Sequence, residues 1–153
     1  MKSLELKVPP PAVALVIAVL MWLLSLLAPA LTFAIPARIL IAIILAVTGV
    51  ATAVAGVTTF ARAKTTVNPT TPQKSSSLVS WGIYSITRNP MYLGLLLVLT
   101  AWAIFLSNPL PFLLLPIYML YINRFQIAPE EHALTSLFGR DFAAYQSRVR
   151  RWI

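Results

Sequence analysis

The chain contains no cysteine. Disulfides, thiolate metal sites and cysteine nucleophiles are therefore excluded. Its single histidine, His132, cannot build a histidine metal cluster, so neither a structural nor a catalytic metal is expected. Aspartate and glutamate together number 4, which leaves any general base unassigned. All charged residues amount to 10% of the chain, well below the roughly one quarter usual in soluble domains. In their place stands apolar material, 59% of the 153 residues. Four spans of about 20 residues each would leave under half the chain for everything else. An active site would then have to be assembled from short loops, helix ends and the tail. The formal net charge of +8 raises the possibility of nucleic acid. The basic residues, however, flank apolar runs instead of forming a soluble basic stripe. No nucleic-acid partner is expected, and these charges read as membrane-orienting.

Four apolar runs are visible. The first extends from about Pro11 to Ala30. Lys2 and Lys7 before it, and small residues after it, allow a cleaved leader. The run exceeds the usual leader core of roughly 7 to 15 residues and further spans follow, so a membrane span is preferred. The second, about Ile39 to Phe60, sets Gly49, Ala53 and Gly56 on one helical face, where another helix can approach closely. The third, about Tyr92 to Leu106, and the fourth, about Leu110 to Ile127, are joined by the turn signal Ser107-Asn108-Pro109 and predict a helical hairpin. The third is short for a full span and follows Pro90, so it is expected to start inside protein or at the interface.

Lys2, Lys7, Arg62, Lys64, Lys74, Arg88, Arg124, Arg140, Arg148, Arg150 and Arg151 fall on one side of these spans, and Arg38 alone on the other. The rule that cytoplasmic loops retain Lys and Arg makes both termini and the central loop cytoplasmic. That loop, Ala61 to Asn89, is rich in Thr, Pro and Ser; its length suits either a functional lid or a linker. Beyond the fourth run, Pro129-Glu130-Glu131 reads as a helix start, with the helix ending near Phe138 and Gly139 as its cap. A second segment places Phe142, Tyr145, Val149 and Trp152 on one face. Followed by arginines, it reads as an amphipathic helix lying against headgroups.

Charged residues next to lipid-buried segments are the informative ones. Arg88, Arg124, Glu130 and Glu131 all fall on the cytoplasmic side. One pocket could unite them, an arginine binding a carboxylate in bidentate fashion and a glutamate accepting from an amine or hydroxyl. They could equally be interfacial arginines paired with nearby acids.

The segment Gly82-Ile83-Tyr84-Ser85-Ile86-Thr87-Arg88-Asn89-Pro90-Met91-Tyr92-Leu93-Gly94 narrows the choice. It precedes the hairpin, and Glu130-Glu131-His132-Ala133-Leu134 and Leu137-Phe138-Gly139-Arg140-Asp141-Phe142-Ala143-Ala144-Tyr145 follow it. In order and spacing this arrangement resembles the isoprenylcysteine carboxyl methyltransferase family and the related phospholipid methyltransferases, particularly bacterial members, which also share Thr65-Thr66-Val67-Asn68-Pro69. The resemblance covers about Ala61 to Ile153, while the first two spans are similar only in being hydrophobic. It implies an all-α integral membrane protein of about four transmembrane helices with a cytoplasmic cofactor-binding cap made of the central loop and C-terminal helices. Residues 1–153 would then form one membrane domain, with two N-terminal spans in 1–60 and a catalytic half in 61–153.

The resemblance further implies an S-adenosylmethionine-dependent methyltransferase of the bacterial inner membrane. By position, Tyr84, Arg88, Pro90, Tyr92, Gly94, Glu130, Glu131, Phe138 and Tyr145 would bind the cofactor, and Arg88, Asn89 and Arg124 would serve catalysis. Asn89 stands where the prenylcysteine enzymes have histidine, so that histidine's role does not transfer. Methyl transfer is chemically compatible with this composition, because a sulfonium carries its own leaving group and the protein need mainly align donor and acceptor. Gly94 would permit close approach of backbone or cofactor, and Tyr92 would offer a ring face to a cation and a hydroxyl. A lipid-like acceptor would enter from the bilayer through a lateral opening; membrane lipids are the only other partners the sequence implies, and it does not fix an oligomeric state. Two other readings stay open: a nicotinamide-dependent reductase of the sterol-reductase type, whose extra spans are missing, and a non-catalytic membrane adaptor.

Overall fold

The structure, a computed structural model, describes residues 5–63 and 77–153, which contain helices and turns and no strand. The first helix, α1 (Pro10–Leu27), begins with proline in its first turn, where a missing N–H costs nothing. It ends before Pro29, which disfavours helical backbone at Ala28. A 3-10 turn at Pro29–Leu31 leads to α2 (Arg38–Arg62). Both helices are long and apolar enough to cross a membrane. Their outward faces present large side chains such as Leu15, Leu27, Ile44 and Val47. Such faces suit hydrocarbon, and the helical backbone satisfies its own polar groups there.

A 3-10 turn at Gly82–Ser85 precedes α3 (Pro90–Leu106). Pro90 and Thr87 are fully buried, so α3 starts inside protein, and its 17 residues sit at the lower limit for crossing a bilayer core. Ser107, at φ +53°, ends α3, and the Asn108 side chain accepts from Leu110 N at 3.1 Å to start the return. The return consists of α4 (Pro109–Phe112), α5 (Leu114–Ile122), a π turn (Asn123–Ile127) and α6 (Ala128–Arg148), which together form one helical stretch from Pro109 to Arg148. The expected hairpin is present.

Pro129 does not start a new helix as its sequence context suggested. It lies in the first turn of a segment continuous with the span before it. Proline has no N–H to donate to the carbonyl four residues back. That carbonyl, on Phe125, instead accepts from Leu6 N at 3.0 Å.

Helix ends are paired by hydrogen bonds. At one end Asn108 Nδ2 donates to Ala28 O at 2.8 Å and Arg38 Nη1 to Ser107 Oγ at 3.1 Å. At the other, Gln126 Nε2 donates to Val8 O at 2.7 Å, and the α2 residue Gly56 lies against Pro90. The four spans therefore alternate in direction, with Lys7, Arg62, Arg88 and Arg124 at one end and Arg38 at the other.

Val13, Ile17 and Met21 of α1 form the main core with Leu99 and Ala103 of α3 and Tyr118, Ile122 and Ile127 of the return. The small-residue face of α2 meets α3 backbone to backbone. A Cβ on Gly94 would fall 2.5 Å from Gly49 O and 2.8 Å from Ala53 Cβ.

A second cluster forms a cap at the Arg88 end. Val79, Tyr84, Phe142, Tyr145 and Val149 are buried in it, with Phe60, Leu134 and Phe138 packed around them. Gly139 divides the two halves of α6 with φ +48° and ψ −115°, a backbone state open to glycine alone. The expected headgroup-facing helix is thus corrected. Its apolar face turns inward because Val79 and Tyr84 supply a protein surface to bury against, and the helix stops at Arg148. Trp152 leaves that face and donates to Asn123 Oδ1 at 3.2 Å. Of the central loop, residues 64–76, including Thr65-Thr66-Val67-Asn68-Pro69, lie outside the described residues.

Candidate site at the Arg88 end

Four segments converge beneath the cap: the turn before α3, the first turn of α3, the start of α6, and the extended segment from Val149. Residue Glu131 sits between two guanidiniums. Its Oε1 lies 3.2 Å from Arg88 Nη2. Arg151 grips both oxygens, through Nη2 to Oε2 at 2.6 Å and Nε to Oε1 at 3.2 Å, the two-point geometry that makes arginine–carboxylate pairs strong. One turn away on α3, the Tyr92 hydroxyl donates to Glu130.

The remaining polar groups of this region fix backbone. Asn89 Nδ2 donates to Arg151 O at 2.8 Å, and Asn89 N donates to Thr87 Oγ1 at 3.2 Å. Arg88 N donates to Arg150 O at 3.1 Å. Tyr145 spans the cap, its hydroxyl donating to Tyr84 O at 2.7 Å.

Three buried donors in this region find no acceptor among the described residues: Nε and Nη1 of Arg88, and the hydroxyl of Tyr84. Unpaired buried donors are costly; Nε–H and Nη1–H leave the guanidinium on different sides, so each offers one charge-assisted hydrogen bond to an anion. Glu130 lies beyond the membrane-spanning run that ends at Ile127. Enclosure of its carboxyl pushes it up to about 8, with the Tyr92 hydrogen bond pulling downward and the charge of Glu131 pushing up. Burial also lifts Tyr84 above the usual phenol range, with Tyr145 and Glu130 adding to it. Tyr145 is held at about 12 by burial, opposed by the nearby charge of Arg88. The site thus combines a cationic edge with an enclosed carboxyl.

Of the residues the sequence nominated, Tyr84, Arg88, Tyr92, Glu130, Glu131 and Tyr145 come together here. Pro90 begins α3 beneath them, fully buried, and Phe138 forms part of the apolar wall of the cap. Asn89 spends its amide on the Arg151 carbonyl, so it ties two segments together. Gly94 is occupied by the α2 crossing at Gly49 and Ala53, which leaves its close approach to backbone and none to a ligand. Arg124 is separate. It pairs with Glu5 at 3.0 Å on an exposed surface and lies over the Phe125 ring at 5.5 Å, because the π turn directs it toward the segment preceding α1. Arg151, Asn123 and Thr87 were not singled out as site residues. For Arg151, its place in a run of basic residues hid the pairing; nothing in the local sequence signalled Asn123.

Comparison with known proteins places this geometry in context. An uncharacterized protein from Haemophilus influenzae is 51% identical over 63 residues, which are 41% of this chain and 100% of that protein. Protein-S-isoprenylcysteine O-methyltransferase B from Arabidopsis thaliana is 31% identical over 77 residues, 50% of this chain and 39% of that protein. The chain thus matches well under half the length of the plant relative. No solved structure matches. The sequence model of phospholipid methyltransferases matches residues 37–141, so the likeness starts earlier than Ala61 and includes α2, whose glycine face carries α3. That match covers more than half the chain and contains the arginine motif, the hairpin and the acidic pair: the chain belongs to the phospholipid methyltransferase family of membrane proteins.

Proposed function

We propose that this protein is an S-adenosylmethionine-dependent methyltransferase that acts on a lipid-like or prenylated acceptor at the cytoplasmic face of a bacterial inner membrane. The observation that carries the reading is the Arg88 guanidinium, with its buried Nε and Nη1 unmatched among the described residues and its Nη2 braced by Glu131. Either of these charged donors fits a carboxylate oxygen of the kind an amino-acid moiety presents. The unmatched Tyr84 hydroxyl and the enclosed Glu130 carboxyl fit the polar remainder of such a molecule.

When bound, S-adenosylmethionine would supply an electrophilic methyl group with its own leaving group. The chain's residues would do the holding. Arg88 would bind the carboxylate, Glu130 would accept from an amine or ribose hydroxyl, and the rings of Tyr84, Tyr92 and Tyr145 would present apolar, electron-rich walls favourable to a cation. Phe138, Phe142 and Val149 would keep water from the apolar side of the cap. No side chain need act as a nucleophile. The lipid-like acceptor is supported by the broad apolar faces of α1 and α2, along which a molecule dissolved in the bilayer could reach this end. A prenylated acceptor is supported by the name of the plant relative. The nominations of Tyr84, Arg88, Pro90, Tyr92, Glu130, Glu131, Phe138 and Tyr145, and the division into two N-terminal spans and a catalytic half, belong to this same proposal.

Calorimetric titration of the detergent-purified protein with S-adenosylmethionine, S-adenosylhomocysteine and NADPH tests it, alongside Glu131→Ala. Binding of the first two is expected. The variant should stay folded yet lose roughly tenfold or more in affinity, the scale of a charge-assisted bond removed. Binding of NADPH alone would indicate a reductase, and binding of none a non-catalytic adaptor.

A further inference from the structure

The extended segment after α6 makes polar contacts to the candidate site and the π turn. Its backbone carbonyls at Arg150 and Arg151 accept from Arg88 N and Asn89 Nδ2, which brings it alongside the residues that open α3. Its side chains reach the other way. Arg151 Nη1 and Trp152 Nε1 both approach Asn123 Oδ1, at 3.5 Å and 3.2 Å, and Arg151 holds Glu131 at two points. We infer that Arg151 is a positioning residue for the site: by gripping Glu131 it fixes the carboxylate that braces Arg88, and so keeps the Nε–H and Nη1–H of Arg88 unmatched for the bound group.

The physical case rests on the sharing of one carboxylate. Glu131 would otherwise be free to rotate toward Arg88 and close a two-point pair on its Nε–H and Nη2–H. Arg151 occupies both oxygens, so that only Nη2 of Arg88 reaches Glu131. The remaining donors of Arg88 stay available. Arg151 is itself anchored by the Asn123 amide oxygen from the π turn, an irregularity of a kind often found at functional sites. Its side chain is more open to solvent than those of Arg88 and Glu131, at 37% against 13% and 17%, so it acts on the site from its rim. The residue also lies outside the 37–141 family match.

This inference rests on the cofactor-binding reading, and the experiment separates the two. S-adenosylhomocysteine is titrated into the wild type, Arg151→Gln, Arg88→Lys, the double variant and Arg148→Ala. Wild-type binding tests the cofactor reading, and its absence removes both. Given that binding, Arg151→Gln should weaken affinity by roughly tenfold or more with an intact thermal transition. In the Arg88→Lys background the same substitution should cost little, because Arg151 works through Arg88; a purely structural role would give additive losses. Arg148, whose guanidinium bonds only the Ala144 carbonyl of its own helix among the described residues, should tolerate alanine. Unchanged affinity in Arg151→Gln, or additivity in the double variant, overturns the inference. Should Arg151→Gln fail to fold, Arg151→Lys retains the charge but loses the two-point grip. An intermediate loss is then expected, and wild-type affinity would overturn it.

Discussion

Glu130 and Glu131 are adjacent in sequence and have opposite surroundings. Glu131 lies between two arginines, whereas Glu130 is enclosed with only the Tyr92 hydroxyl as partner among the described residues. The consequence is a stability that depends on pH. Enclosure raises the Glu130 carboxyl to about 8 in the folded protein from an ordinary value of 4.5. Between those values the unfolded chain has released this proton and the folded chain keeps it, so the fold loses stability as pH rises through that window. Glu130→Gln, which still accepts from Tyr92, should remove this contribution. Thermal midpoints in detergent from pH 5 to 8.5 would show a downward slope in the wild type that flattens in the variant; parallel slopes would exclude Glu130 as its source. The sequence made both acids visible through their position after the fourth span. Their division of labour was not visible, because it depends on Arg151 and Tyr92, which reach them from 20 and 38 positions away.

Among elements, the α2–α3 crossing has the least tolerance. Gly49 and Gly94 present bare backbone to each other, which lets two helices approach closely where hydrocarbon gives no hydrophobic drive for association. Gly94→Ala should push them apart and cost about 1–3 kcal/mol, the range for overpacking a filled interior. A lower thermal midpoint in detergent checks it against Val54→Leu, a change on the exposed face of α2 that should have no effect. An unchanged midpoint for Gly94→Ala would mean that the helices do not meet there. The small face of α2 was legible from residue spacing, and so was the hairpin turn at Ser107-Asn108-Pro109. The course of the chain around Pro129 was not. Proline followed by two acids signals a helix start locally, but the carbonyl that proline leaves free on Phe125 is satisfied by Leu6, a partner more than a hundred residues away. The inward turn of Phe142, Tyr145 and Val149 was concealed for a similar reason: an apolar helical face has the same pattern whether lipid or Tyr84 covers it.

For the molecule as a whole, the charge asymmetry of the sequence becomes a spatial one. Lys7, Arg62, Arg88 and Arg124 gather with the candidate site at one end of the alternating spans, and Arg38 is at the other, bonded to Ser107. A water-soluble donor and a membrane-dissolved acceptor could meet only where such an end faces the compartment holding the donor. Retention of Lys and Arg on the cytoplasmic side predicts that orientation. The absence of cysteine allows a clean test, because any introduced thiol is the only one present. Thr32→Cys, exposed in the connection between α1 and α2, and Arg140→Cys, exposed in α6, report on opposite ends. In intact spheroplasts a membrane-impermeant maleimide should label the cysteine at 32 and spare the one at 140, which should react once the membrane is opened. The reverse pattern would put the Arg88 end outside, away from cytoplasmic S-adenosylmethionine, and would contradict the proposed reaction even if the purified protein bound the cofactor.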